Sequence, residues 1–386
     1  MKHGTPLACG LAAACLVLAS CGHGRYTSEA KADAEKRAGQ LKAATQFDMA
    51  TQQFESGDLD RALRTTDSTI ALTPEVSVPY LLRGRILLEM GKPEEALAAL
   101  EKGESIDPKN ADFSYYRGVV LESVGRRTAA LEAFTQAAAI APTDLKHRLA
   151  ASEIMTELGW LDQAESLLVE NQSAFQYSPG LRQMLGHIAM MRGDTPQAVE
   201  QFQEAVVLGP DDPALVEDLS RALIAAGRFT DAEQCLKRLM DNAKYRDRRD
   251  IRHMRARCLV EIGRPVEARE ILMRLVDGKA GASDVEAWIR LAEVAVMMND
   301  DRQLRTAASR LISIAPDRFE GYLAQAMWQR RERDLPAALR SLEKSISLAP
   351  GNPAPARLKA LILKQMGRAA DADQAFEHAD RLAQRR

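Results

Sequence analysis

Apolar and polar positions recur with a helical period through most of this chain. Between positions 77 and 142, Tyr80, Leu87, Leu100 and Ile106 fall where a helix would carry them on one face, with charged residues around the rest. Gly and Pro punctuate these stretches at regular places. The pattern predicts short amphipathic helices in pairs, each pair burying a continuous stripe between its members.

The two halves of this stretch superimpose. Gly84 falls on Gly118, Gly91 on Gly125, Ala96 on Ala130, Leu100 on Phe134 and Pro108 on Pro142, each thirty-four positions apart. Every position has a physical reason. Gly84, Gly118 and Gly186 let the second helix of a pair approach the first, and Ala96, Ala130 and Ala198 do the same from the other side; a larger side chain would overpack the contact by about 1 to 3 kcal/mol. Gly91, Gly125 and Gly193 stand just past the first helix, where a left-handed residue ends it. Pro108, Pro142 and Pro210 follow the second helix and stop it, for want of an N–H.

The register holds along the chain. Gly57, Gly91, Gly125, Gly159, Gly193 and Gly227 keep the thirty-four-residue step, and Ala62, Ala96, Ala130, Ala164, Ala198 and Ala232 keep it with them. The fourth unit is the least regular of these six, with Gln176 where its neighbours carry Pro. After Lys244 the spacing lengthens by two residues at each of two junctions, DNAKYRDRRD and DGKAGASD, so extra residues belong in the inter-repeat turns. The eighth unit has Asn299 and Leu304 at the usual Gly and Ala positions, and the ninth has Arg333 at its turn. A tenth unit closes the count. Pro93, Pro196, Pro265 and Pro336 mark second-helix starts, Thr230 with Glu233 reads as a capping box, and Ser28 is the expected cap of the opening helix, with residues 29 to 42 covering the apolar end of the first repeat.

This period and residue pattern resembles the tetratricopeptide repeat. The resemblance implies an all-α fold, a right-handed α-solenoid superhelix of about ten helix-turn-helix repeats filling one elongated domain over residues 29–386. It also implies a working surface, the concave face lined by first helices. The family's positions map onto Phe54, Leu81, Arg85, Leu88, Tyr115, Glu122 and Glu153, then His187, Met191, Arg221 and Arg257, then Met297, Arg330 and Arg331. The lining runs from apolar and acidic to arginine-rich, a gradient suited to orienting an extended peptide or helix. The alternative is that Met191 and its neighbour Met190 fill core gaps and the arginines form a solvated face.

Composition narrows the class. Charged residues make up 27% and aromatics 5%, the formal net charge is −2 and the pI about 6.4, so the chain as a whole has no attraction for nucleic acid. The first twenty residues read as an export signal: a short n-region, then an apolar run from Leu7 to Leu18 too short to span a bilayer comfortably. Leu18, Ala19, Ser20 and Cys21 resemble the bacterial lipobox. That resemblance implies cleavage before Cys21, diacylglycerol on its thiol and a tether over residues 21–28. Gly22 implies the outer membrane, facing the periplasm. Two further cysteines, Cys235 and Cys258, sit on neighbouring helices, either as small buried side chains or as a disulfide.

No catalytic constellation emerges. The histidines are scattered, and there is no H-E-x-x-H, no phosphate-binding glycine loop and no G-x-S-x-G. Ser28 and Lys31 form an isolated S-x-x-K without its companion motifs. The expectation is a non-enzymatic scaffold with no cofactor and no metal, anchored to the envelope by lipid. It would bind another envelope protein or peptide segment, in assembly of a pilus, secretion or polysaccharide-export complex. The alternative is an accessory subunit recruiting or regulating an envelope enzyme such as a peptidoglycan hydrolase or synthase.

Overall fold

The computed structural model of the chain describes residues 25–170 and 175–384. The expected signal at 1–20 and Cys21 lie outside the described residues. Within them are twenty-two helices and no strand. Twenty form ten consecutive antiparallel hairpins, the ten repeats read from the sequence. The other two are single helical turns, Ala243–Arg246 and Gly278–Ala282, which occupy the two lengthened junctions.

The chain divides into two compact units, residues 1–176 and 177–386, at the irregular fourth repeat. Unit 1 holds four hairpins, from Arg25–Glu55 paired with Leu59–Leu72 to Leu145–Glu157 paired with Leu161–Val169. Its core is built on Ile86, Leu87, Leu100, Phe113, Phe134 and Ile154, all buried. Unit 2 holds six hairpins, from Pro179–Arg192 paired with Thr195–Leu208 to Pro353–Gln365 paired with Ala369–Ala383. Phe202, Leu223, Leu236, Leu259, Leu311 and Leu342 anchor its core.

The small residues act as their positions predict. A Cβ on Gly84 would lie 2.6 Å from the Leu100 side chain, one on Gly118 2.6 Å from the Phe134 ring and one on Gly186 2.7 Å from the Phe202 ring. Across each of these contacts the second helix meets bare backbone. At the turns, Gly125 has φ +75°, its N–H donating to the Glu122 carbonyl at 2.8 Å while Arg126 N–H donates to Leu121 at 2.9 Å. Asn299 and Arg333, which replace glycine in repeats 8 and 9, adopt the same left-handed conformation at φ 55° and 63°. Their turns keep the same pair of hydrogen bonds, so the hairpin geometry is retained without the residue that most easily adopts it.

Four local expectations are corrected. The opening helix begins at Arg25, so Ser28 lies inside it and is not its cap, and part of the expected tether is helical. Residues 29–42 extend that helix largely into solvent and do not cover the first repeat. The second helix of repeat 6 starts at Phe229 after Arg228, with no side-chain cap, so Thr230 and Glu233 form no capping box. Glu233 is instead buried, 3% exposed, and receives Arg255 at 3.0 Å and Arg264 at 3.2 Å. Two cationic partners offset the cost of removing that carboxylate from water.

Candidate functional site: the first-helix wall

In each unit every second helix packs on the first helix that follows it. First helices also touch first helices, as repeat 2 touches repeat 3 and repeat 8 touches repeat 9, and second helices do not pack on one another comparably. Within a unit the first helices therefore lie along one side and form a wall. That wall carries the residues singled out from the sequence.

In unit 1 the wall is an aromatic shelf beside a carboxylate cluster. The Arg85 guanidinium lies 5.0 Å from the Phe54 ring centre and 5.2 Å from that of Tyr116, a cation over two faces. Tyr115 meets Tyr116 edge-on at 5.2 Å, and the Lys146 ammonium sits 4.2 Å above the Tyr115 ring. Leu81 and Leu88 are half-buried against the core of repeats 2 and 3. Glu122 and Glu153 are exposed. Partial burial, then the charges of Glu153 and Glu157, push the Glu122 carboxyl above its ordinary range, with Arg127 opposing. Arg127 itself bridges to Glu157 at 2.7 Å.

In unit 2 much of the predicted charge is already paired. His187 stands 3.3 Å from Asp218 and edge-on to Phe202, and Arg221 bonds Glu217 at 2.6 Å. Arg257 is exposed, 5.9 Å from the Phe229 ring centre. Arg331 donates to the Asp301 carboxylate at 2.7 Å and to the Val296 carbonyl at 3.0 Å, joining repeat 9 to repeat 8. Arg330 bonds Gln365 of repeat 10 at 2.9 Å. The arginine-rich end is thus partly a set of inter-repeat fastenings. Met191 and Met297 are exposed, 56% and 43%, so neither fills the core.

One recess stands out on this wall. Between the two helices of repeat 8 and the first helix of repeat 9, Val296, Leu304, Leu323, Ala324 and Met327 enclose a cavity of about 230 Å³, with Glu293 and Glu320 among its lining. Val296 and Met327 also line a neighbouring hollow of about 390 Å³, whose other walls are Arg330, Arg331, Leu358 and Gln365. Apolar depth and guanidinium rim therefore adjoin along three successive first helices. The sequence reading placed Arg330 and Arg331 here but missed Val296, Leu304 and Ala324. The available signal was Leu304 at the position where repeats 1 to 7 and repeat 9 carry Ala.

Cys235 and Cys258 are free thiols packed in one core cluster, without a disulfide. Burial raises both, Cys258 to about 11. Among the described residues no group of three His, Cys, Asp or Glu is arranged to hold a metal ion, and no helix is long and apolar enough to cross a membrane.

Known proteins share this construction. A family model described as "Tetratricopeptide repeat" matches residues 81–144 and 217–284, and a second of the same description matches 189–244. Human tetratricopeptide repeat protein 7B is 28% identical over 140 residues, which is 35% of this chain and only 16% of that protein's length. A tetratricopeptide repeat protein from Parabacteroides merdae superposes on 67% of this chain and 100% of its own, with a TM-score of 0.48 and 15% identity. The structure of PilW, a type IV pilus biogenesis factor, superposes on 53% of this chain and 94% of its own, with a TM-score of 0.47 and 18% identity. Taken with the helical hairpins in which they fall, the matched segments identify tetratricopeptide repeats in this chain.

Proposed function

We propose that this protein is a non-enzymatic scaffold that holds a segment of another protein on its first-helix wall, with repeats 8 to 10 as the principal grip. Tetratricopeptide repeat proteins are protein-interaction scaffolds, and the observation that carries the reading here is the apolar cavity adjoining the Arg330 and Arg331 hollow. A single aliphatic side chain buried in such a recess contributes about 1.5 to 3 kcal/mol. The guanidinium rim favours an acidic residue next to that anchor.

The lipobox-like run ending at Cys21 supports placing this scaffold in a bacterial envelope, held by acyl chains, with the outer membrane facing the periplasm as the site. An envelope assembly, of a pilus, secretion or polysaccharide-export machine, is the setting we propose. The test is co-purification of the lipidated full chain from source membranes, against Met327→Lys and Cys21→Ser. We expect one stoichiometric partner with the native chain, its loss with Met327→Lys, and release of the chain from membranes with Cys21→Ser. Equal recovery of the partner with Met327→Lys would refute the grip, and retention of Cys21→Ser on membranes would refute the anchor.

A further inference from the structure

The second helix of repeat 8, Asp301–Ile314, carries a polar stripe unrelated to the first-helix wall. Arg302, Arg305, Thr306, Ser309, Arg310 and Ser313 recur at intervals of three, one, three, one and three residues, the spacing that keeps side chains on one helical face. With Trp288 they line a pocket of about 560 Å³. No carboxylate is among the lining residues.

Arg305 is the fifth residue after its helix cap, Asp300. At that position repeats 2, 3, 5 and 9 carry Leu97, Leu131, Val199 and Leu339, packed into core clusters, whereas repeats 4, 6, 7 and 10 carry Glu165, Glu233, Arg269 and Asp373. The Arg305 guanidinium lies 4.9 Å from the Trp328 ring centre.

The donors are largely uncommitted. The Arg302 side chain is exposed and has no hydrogen-bond or ion partner among the described residues. Arg310 uses its Nε to reach the Ala282 carbonyl at 2.8 Å, which leaves its terminal nitrogens available. Trp288 contributes a buried indole Nε1 with no hydrogen-bond partner among the described residues. A buried N–H donor without an acceptor is costly. Three guanidiniums and the Ser309 and Ser313 hydroxyls line the pocket beside that indole, while the Thr306 hydroxyl donates to the Arg302 carbonyl at 3.0 Å.

We infer that this pocket on repeat 8 binds a phosphoryl group, free or borne on a lipid headgroup. Guanidinium forks match the oxygens of phosphate. Three cations with no intervening acid favour a multiply charged tetrahedral anion over a single carboxylate. The pocket shares no lining residue with the cavity between repeats 8 and 9.

The experiment is isothermal titration of the full chain at constant ionic strength with inorganic phosphate, glycerol 3-phosphate and, for reference, chloride. It is repeated with Arg302→Gln/Arg305→Gln, whose side chains are exposed and whose thermal unfolding is recorded in parallel. Saturable binding of either phosphate compound, weakened at least tenfold in a double variant with an unchanged melting midpoint, is the expected result. Sedimentation with phosphatidylcholine vesicles, with and without phosphatidic acid, separates the sources. Variant-sensitive sedimentation only with phosphatidic acid assigns a lipid headgroup, and binding of the soluble compounds alone assigns a free phosphate ligand. A response to phosphate no larger than to chloride, or one equal in the native chain and double variant, would overturn the inference.

Discussion

The Arg248 guanidinium grips the Glu217 carboxylate with two hydrogen bonds, 2.7 and 2.8 Å long. Arg248 stands at the end of the lengthened junction after repeat 6, and Glu217 lies on the first helix of that repeat. Arg221 adds a third contact to Glu217, and Arg248 also bonds Asp250. An insertion that could have loosened the array is thus stitched to the preceding repeat by a four-residue ionic network.

This network should set an acid limit on unit 2. Burial alone would raise Glu217, but hydrogen bonds from Arg248 and Arg221 hold it below its ordinary range. Arg248 does the same for Asp250. A carboxyl depressed by folding binds fewer protons folded than unfolded. Its stabilisation is therefore complete above its unfolded value, about 4.3 for Glu, and is lost as pH falls through the folded value. The melting midpoint should fall as the pH drops below about 4.3, and Glu217→Gln should melt lower at pH 7 with a shallower acid slope. An acid slope unchanged by Glu217→Gln would contradict this assignment.

The helix contacts predict opposite signs for two glycine-to-alanine changes. Gly118→Ala places a Cβ 2.6 Å from the Phe134 ring and should cost about 1 to 3 kcal/mol. Gly39→Ala lies within the opening helix with nothing within 4 Å of its Cβ, and should stabilise that helix by about 0.5 to 1 kcal/mol. Melting of the two variants side by side measures both.

Arg333 tests the turn. A non-glycine residue at φ 63° carries a left-handed penalty of about 1 to 2 kcal/mol, part of which glycine returns through its freer unfolded chain. Arg333→Gly should raise the denaturant midpoint by the equivalent of about 0.5 to 1 kcal/mol. A lowered midpoint would mean that the arginine side chain contributes more than its backbone strain.

The two thiols should be slow to react. Burial raises Cys235 and lifts Cys258 to about 11, so little thiolate is present at pH 8. An aromatic disulfide reagent should label neither readily in the folded chain and both at once in denaturant. Prompt labelling of Cys258 under native conditions would contradict its burial in the core of repeats 6 and 7.

What the sequence made legible was whatever repeats. Gly84, Gly118 and Gly186 announced close helix contacts because the same constraint recurs in register, and Asn299 and Arg333 were recognisable as turn residues from position alone. Features belonging to one repeat were not legible. The single helical turns in the two lengthened junctions, the pairing of Arg331 with Asp301, and the cavity beside Leu304 depend on side chains brought together from neighbouring units. The Thr230–Glu233 cap failed for the same reason, because Arg255 and Arg264 from the next repeat claim the carboxylate. On the wall, the positions were readable, but which charges were already paired was not.

The partner protein we propose lies along the first helices of repeats 8 to 10. Photo-crosslinking residues placed singly at Met297, Met327 and Val207 in the full chain, activated in source cells, probe that placement. Met297 and Met327 lie on first helices, while Val207 is 78% exposed on a second helix. Adducts to one and the same protein from Met297 and Met327, with none from Val207, are the predicted outcome. Adducts from Val207 as abundant as those from Met327, or no adduct from either first-helix position, would contradict the account.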